Sequence, residues 1–195
     1  MPQSYQTERR FVATFLKMLF FNHALARFDL PQAEREKCNL LVLVADECQQ
    51  FVTLSEHGMS DHNVVDLIRE AKVAILAATQ STTSLVPVLG GDAARVYTLN
   101  LRHRLIFQSA DEADAKASAE FIGRRMRWKR TVTWARGGRS VSSNEVEDYR
   151  IKPTELLGLR KHECVVVHSD QGYRRGQMPP MEADGTVSDW YRWWG

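Results

Sequence analysis

Asp46 and Glu47 follow directly on an uninterrupted apolar run, residues 40–45, which brings two adjacent carboxylates to one point of the chain. Such a pair suits divided labour. One carboxylate can hold Mg²⁺ through water, because that ion keeps most of its hydration shell and takes few protein ligands, while the other polarises an attacking water. A run rich in Leu and Val reads as a fully buried strand of a parallel sheet, and open α/β sheets bind ligands at the carboxyl ends of their strands. A Walker B element is built in this way. The same two acids also suit a plainer task, ending a strand and capping the next helix.

A second apolar run, residues 72–78, ends at Thr79-Gln80-Ser81, so polar side chains with hydrogen-bonding capacity again follow a strand. Further on, residues 121–144 hold seven Lys or Arg and no acid: Arg124, Arg125, Arg127, Lys129, Arg130, Arg136 and Arg139, with Trp128 and Trp134 interleaved. That mixture can neutralise phosphates and stack bases without reading sequence, and it equally describes a solvated basic face with core tryptophans. The six histidines are scattered, with only His57 and His62 near each other and not at helical zinc spacing, so no metal site is expected from them. No G-x-S-x-G, Cys-His or Rossmann signature points to a hydrolase or dehydrogenase.

These groups must be positioned by a chain of 195 residues, enough for one well-buried domain. With 26 basic against 24 acidic side chains the net charge is +2, so any polyanion-binding surface has to be local. Cys38, Cys48 and Cys164 form no CxxC pair and read as reduced thiols, which suggests a cytoplasmic setting. The apolar stretch at residues 18–21 belongs to an amphipathic helix and is too short for a membrane span.

Over residues 7–28, Phe11, Val12, Phe15, Leu16, Leu19, Phe20 and Ala24 recur about four apart, which predicts a long helix packing that stripe on a core. The run at 40–45 is the next strand, a helix is expected over 63–71, and 72–78 is the second strand. A short helix at 84–89 is broken by Gly90-Gly91, residues 104–108 make a third strand, and Ser109 or Asp111 caps a helix with Ala113, Ala117 and Phe121 on its apolar face. Residues 137–144 read as a flexible loop, and 163–168 as a strand that turns at Asp170-Gln171-Gly172 and returns through 173–177. The closing strands are expected from about 129, which leaves an aromatic tail, 181–195, with Trp190, Tyr191, Trp193 and Trp194. The tail would cover this chain's own sheet or dock on a neighbour.

In order and spacing, QTERRFVATFLKMLFF, LLVLVADECQQFVT, REAKVAILAATQS and LRHRLIFQSADEADAKASAEFIG resemble the C-terminal half of the motor domain of type IV secretion and conjugation coupling proteins, the TraD/TraG-like relatives in the FtsK/HerA group. The resemblance implies an α/β fold: a RecA-like P-loop NTPase half domain over residues 1–180, with a mainly parallel sheet flanked by helices and a C-terminal β-hairpin extension. It implies ATP-driven DNA transfer, with Asp46 on Mg²⁺, Glu47 activating water and Gln80 sensing the γ-phosphate. Arg69, eleven residues before Gln80, matches the arginine offered to a neighbouring subunit's nucleotide. Arg124, Arg125, Arg127, Lys129 and Arg130 would contact DNA.

The departure from the family is the missing GxxxxGK[ST], whose amides and lysine hold phosphates; neither Gly90-Gly91 nor Gly137-Gly138 continues into Lys-Ser or Lys-Thr. In the family that motif and the inner-membrane anchor lie upstream of the matched region, so ATP and Mg²⁺ are expected to bind only together with that N-terminal half. The expected partners are that half or other coupling-protein subunits, a homo-hexamer in the complete protein, DNA and relaxosome components. The competing expectation is a non-catalytic remnant or regulator that docks on coupling-protein subunits.

Overall fold

A computed structural model describes residues 5–55, 59–135 and 138–178. The chain divides into two compact units at Arg102/His103. The aromatic tail expected at 181–195 and His57 lie outside the described residues.

In the first unit, α1 (Gln6–Leu25) runs through a sequence free of Gly and Pro and tightens into a 3₁₀ turn at Ala26–Asp29 before Pro31. A short α2 (Gln32–Arg35) follows Pro31. Then β1 (Leu41–Ala45), α3 (Asp61–Leu67) and β2 (Val73–Ala77) form a β-α-β unit, in which β1 and β2 pair in parallel from Leu41↔Val73 to Ala45↔Ala77. α4 (Val86–Leu89) and α5 (Gly91–Asn100) complete the unit, with Gly90 between them at φ +75°, a conformation open to glycine at no steric cost.

Side chains alternate across a strand, and here only one side of β1–β2 is covered. Leu41, Leu43, Val73, Ile75 and Ala77 contact a core supplied by Phe21 and Ala24 of α1, Val64 and Val65 of α3 with Ile68 just after it, and Leu89, Ala94 and Tyr97 of α4 and α5. On the other side Val42, Val44 and Leu76 are exposed, and Leu40 before β1 is exposed as well. The expectation of a fully buried β1 is therefore corrected: every described helix of the unit that packs on the strands lies on the odd-numbered side.

The helix α1 is also turned from its expected orientation. Lys17, Phe21 and Ala24 face inward, while Phe11, Phe15, Leu16 and Leu19 are exposed. Lys17 sets this phase, since its ammonium finds buried partners that no other residue of the helix serves.

In the second unit, β3 (Arg104–Ile106) pairs antiparallel with β6 (Glu163–His168), which pairs antiparallel with β7 (Gly172–Gln177). Parallel pairing among the described strands is thus found at β1–β2, in a mixed α/β fold. The helix α6 (Glu112–Ile122) starts where the Asp111 carboxylate accepts from the Asp114 N–H at 2.8 Å and ends at Gly123, φ +97°. Its inward residues are Ala115, Ala119 and Ile122, packed with Ile151, Leu156, Leu159 and Val165 around α7 (Pro153–Leu157) and β6. Ala113 and Ala117, expected on that face, are exposed, and Phe121 is half-buried beneath the Arg104 guanidinium, 3.4 Å from its ring centroid.

A long two-stranded arm joins α6 to α7. β4 (Arg124–Ala135) and β5 (Gly138–Tyr149) pair antiparallel along their whole length, from Arg124↔Tyr149 to Ala135↔Gly138. Closing strands thus begin at Arg124 rather than near 129, and the loop expected at 137–144 is largely strand. Ser and Asn have weak strand preference, but cross-strand pairing such as Val132↔Val141 overrides it.

Candidate functional site

The acidic pair leaves β1 at the rim where β2 also ends. Past the last strand residues the ladder continues: Ala78 N–H donates to Ala45 C=O and Cys48 N–H donates to Ala78 C=O, each at 2.9 Å. These bonds hold the turn after β1 against the turn after β2, so Asp46, Glu47 and Gln80 emerge on one edge. Glu47 takes left-handed backbone, φ +49°, and its N–H donates to Asp46 Oδ1 at 2.9 Å. Gln80 and Asp46 are exposed. The loop after β2 is fixed by its own hydroxyls, with Thr79 Oγ1 donating to Ser81 C=O at 3.0 Å and Ser84 Oγ donating to the same carbonyl at 2.6 Å.

Behind this rim lies a buried polar cluster that sequence reasoning missed. Lys17 Nζ donates to Asp61 Oδ2 at 2.5 Å and to Phe51 C=O at 2.6 Å, and Asp61 Oδ2 also accepts from the Thr53 N–H at 2.7 Å and hydroxyl at 2.9 Å. Burial holds the Lys17 ammonium below its ordinary range, against the pull of Asp61. Cys48 and Tyr97 lie in the same buried cluster nearby; burial, with the Asp61 charge adding to it, pushes the Cys48 thiol up to about 11 and the Tyr97 hydroxyl upward. The segment that carries the acids is thereby tied to α1, α3 and α5. A lysine in the middle of an apolar helix was the available signal.

Arg69 is not brought to the acidic rim. It is exposed in the turn that precedes β2, at the opposite, N-terminal end of the parallel pair.

The basic segment is rearranged by the pleat of the arm. Residues directly opposite share a face, so Arg125, Arg127 and Lys129 lie with Asp148, Val146 and Asn144, while Met126, Trp128 and Val132 lie with Glu147, Glu145 and Val141 on the other face. Trp128 is 67 % exposed and lies on this second face, among Met126, Glu145 and Glu147. Arg124 is consumed at the arm's base, donating to Glu120 Oε1 at 2.6 Å and standing 3.4 Å from Glu147; Glu120 raises the Arg124 pKa, and Arg124 lowers that of Glu120. Arg130 shares the Trp128 face, opposite Ser143. A run without acids in sequence is interleaved with them in space. The side chains of Trp134, Arg136 and Arg139 lie outside the described residues.

Among the described residues no group of three or more His, Cys, Asp or Glu is arranged to hold a metal ion. The exposed Asp46 carboxylate fits a hydrated Mg²⁺, which needs only one or two protein oxygens. The phosphate-cradling sequence GxxxxGK[ST] does not occur in these 195 residues. Among the described residues no helix is long and apolar enough to cross a membrane.

A parallel strand pair delivering acids and an amide to one rim, in a mixed α/β setting, is part of a fold that this chain shares with solved coupling proteins. The chain belongs to the family described as the TraM recognition site of TraD and TraG, whose model matches residues 40–161. Among solved structures it is similar to the bacterial conjugative coupling protein TrwBdeltaN70 in its unbound monoclinic form, with 18 % identity and a TM-score of 0.63 over 80 % of this chain and 35 % of that one. It is also similar to the plasmid coupling protein TrwB in complex with ADP and Mg²⁺, with 17 % identity and a TM-score of 0.60 over 86 % and 35 %. A third is TrwB with the non-hydrolysable GTP analogue GDPNP, with 18 % identity and a TM-score of 0.61 over 80 % and 34 %. The chain spans about a third of the length of these structures. No curated protein matches the sequence at a significant level.

Proposed function

We propose that this chain is the acidic-rim half of the motor that drives DNA transfer in conjugation or type IV secretion, its β1 acting as a Walker B strand. The observation that carries the reading is the parallel register Ala45↔Ala77, which gives Asp46, Glu47 and Gln80 a common edge. Asp46 holds hydrated Mg²⁺, Glu47 accepts a proton from water beside it, and Gln80 offers its amide N–H to an anionic oxygen at the same edge. Mg²⁺, when bound, neutralises negative charge on phosphate oxygens. Arg69, at the far end of β2, serves a neighbouring subunit.

The phosphate cradle comes from the part of a coupling protein that this sequence does not match. The bare apolar side of β1–β2 supports this, since Val42, Val44 and Leu76 form a surface that seeks a cover. Mg²⁺–ATP titration tests the reading: no binding by these residues alone, and binding when the GxxxxGK[ST]-bearing half is joined to them. Binding by these residues alone would count against it.

The same bare face supports a second reading, a non-catalytic piece that docks on coupling-protein subunits; in that case the joined protein binds ATP but Asp46 and Glu47 are dispensable. DNA contact falls to the Arg125, Arg127 and Lys129 face of the arm, and relaxosome components are the protein partners in the complete assembly. That assembly is a hexamer anchored to the inner membrane.

A further inference from the structure

The turn that carries the acids is linked to α1 by a relay with no part in the reading above. Gln50 Nε2 donates to Glu47 Oε2, and Gln50 Oε1 accepts from Arg9 Nη2, which itself stands 4.0 Å from Glu47 Oε2. The amide is thus oriented at both ends, oxygen to the guanidinium and nitrogen to the carboxylate. Left-handed backbone at Glu47 and the 3₁₀ turn at Cys48–Gln50 bring the two side chains, three residues apart, into reach. Asp46 is bound differently. Its Oδ1 accepts from within the same turn, from the Glu47 N–H, and its side chain is exposed.

Two adjacent, equally free carboxylates would both be drawn onto a hard divalent cation, because such ions collect oxygen ligands and gain from each negative charge. A carboxylate bound to the cation is a weaker base toward water, because the metal's charge holds it ionised. We propose that Arg9 and Gln50 are positioning residues that hold Glu47 off the cation, leaving Asp46 as its carboxylate and Glu47 free to act as a base. Arg9 does this by partly neutralising Glu47, and Gln50 by fixing the carboxylate's direction. The inference rests on the assignment of Asp46 to the metal.

The test uses Mn²⁺ with ATP as the probe, titrated into the joined motor in which these residues are labelled with ¹³C, while paramagnetic broadening of the Asp46 and Glu47 side-chain carboxyl signals is followed. In the wild-type chain Asp46 broadens at several-fold lower Mn²⁺ than Glu47. In Arg9→Ala and Gln50→Leu the two signals broaden together and the apparent Mn²⁺ affinity rises several-fold, whereas Arg9→Lys, which keeps the cation, retains the wild-type order. Backbone amide spectra establish that each variant is folded, and Arg9→Ala, at a partly exposed helix position, keeps the test available should Gln50→Leu fail to fold. Asp46 broadening first in every variant, with unchanged affinity, overturns the inference and leaves the metal assignment standing. Broadening of neither carboxyl in the wild-type joined motor, with ATP bound, overturns the metal assignment and this inference with it.

Discussion

Lys17 and Asp61, forty-four residues apart, meet at 2.5 Å with their side chains 3 % and 4 % exposed. Taking both charges out of water is costly, and Asp61 offsets that cost by accepting from Lys17, the Thr53 N–H and the Thr53 hydroxyl together. Removing one partner leaves the other buried and uncompensated. Lys17→Met and Asp61→Ala are each expected to lower unfolding free energy by about 3–5 kcal/mol in urea titrations. The double variant should recover only part of this loss, because the Thr53 N–H then lacks its acceptor.

The Cys48 thiol gives a pH signature. Its pKa is raised from 9.0 to about 11 in the folded chain, so above pH 9 the unfolded chain releases this proton first and stability falls as pH rises towards 11. The contribution is fully present below pH 9. Cys48→Ala should flatten the decline between pH 9 and 11 by up to about 2–3 kcal/mol, read as the difference between the two proteins' urea midpoints at each pH. Parallel declines in both proteins would contradict it.

The pleat of the arm puts Arg125, Arg127 and Lys129 on one face and Trp128 on the other, and the two faces should separate in DNA binding. Replacing Arg125, Arg127 and Lys129 by Ala should reduce the slope of log K against log salt by about 2–3, or about 0.9 for each phosphate that is no longer neutralised on duplex DNA. Trp128→Ala should leave that slope unchanged. A loss of affinity from Trp128→Ala alone would return base stacking to the account.

Val44 lies on the uncovered side of β1. Val44→Lys should change the stability of the chain alone by less than about 0.5 kcal/mol, as ordinary surface substitutions do. The same change should abolish assembly with the cradle-bearing half in size-exclusion chromatography. Assembly undisturbed by a lysine there would mean that the face stays bare.

How much of this could be read in the sequence differs from element to element. The two apolar runs were legible as strands because length and Leu/Val content suffice, and the hairpin over 163–177 because Asp170-Gln171-Gly172 marks its turn. Helix orientation was not legible. Counting apolar residues in α1 selects Phe11, Phe15 and Leu19, whereas a single buried lysine decides which side faces inward, and its partner Asp61 lies far along the chain. In α6 the cap at Asp111 was found, yet the inward face moved to Ala115, Ala119 and Ile122, because small residues do not show which side is packed. Within the site, the shared rim of Asp46, Glu47 and Gln80 follows from strand polarity and was legible. The relay through Arg9 was not, since it joins residues forty-one apart by an exposed side chain.

The central claim is that the acids at the end of β1 work on water beside a cation-bound phosphate. Single-turnover hydrolysis by the joined motor, wild type against Glu47→Gln, tests it most directly. The account predicts that ATP binding is retained and phosphate release falls by about 10²-fold or more, the scale of losing a general base. Hydrolysis at the wild-type rate in Glu47→Gln would contradict it.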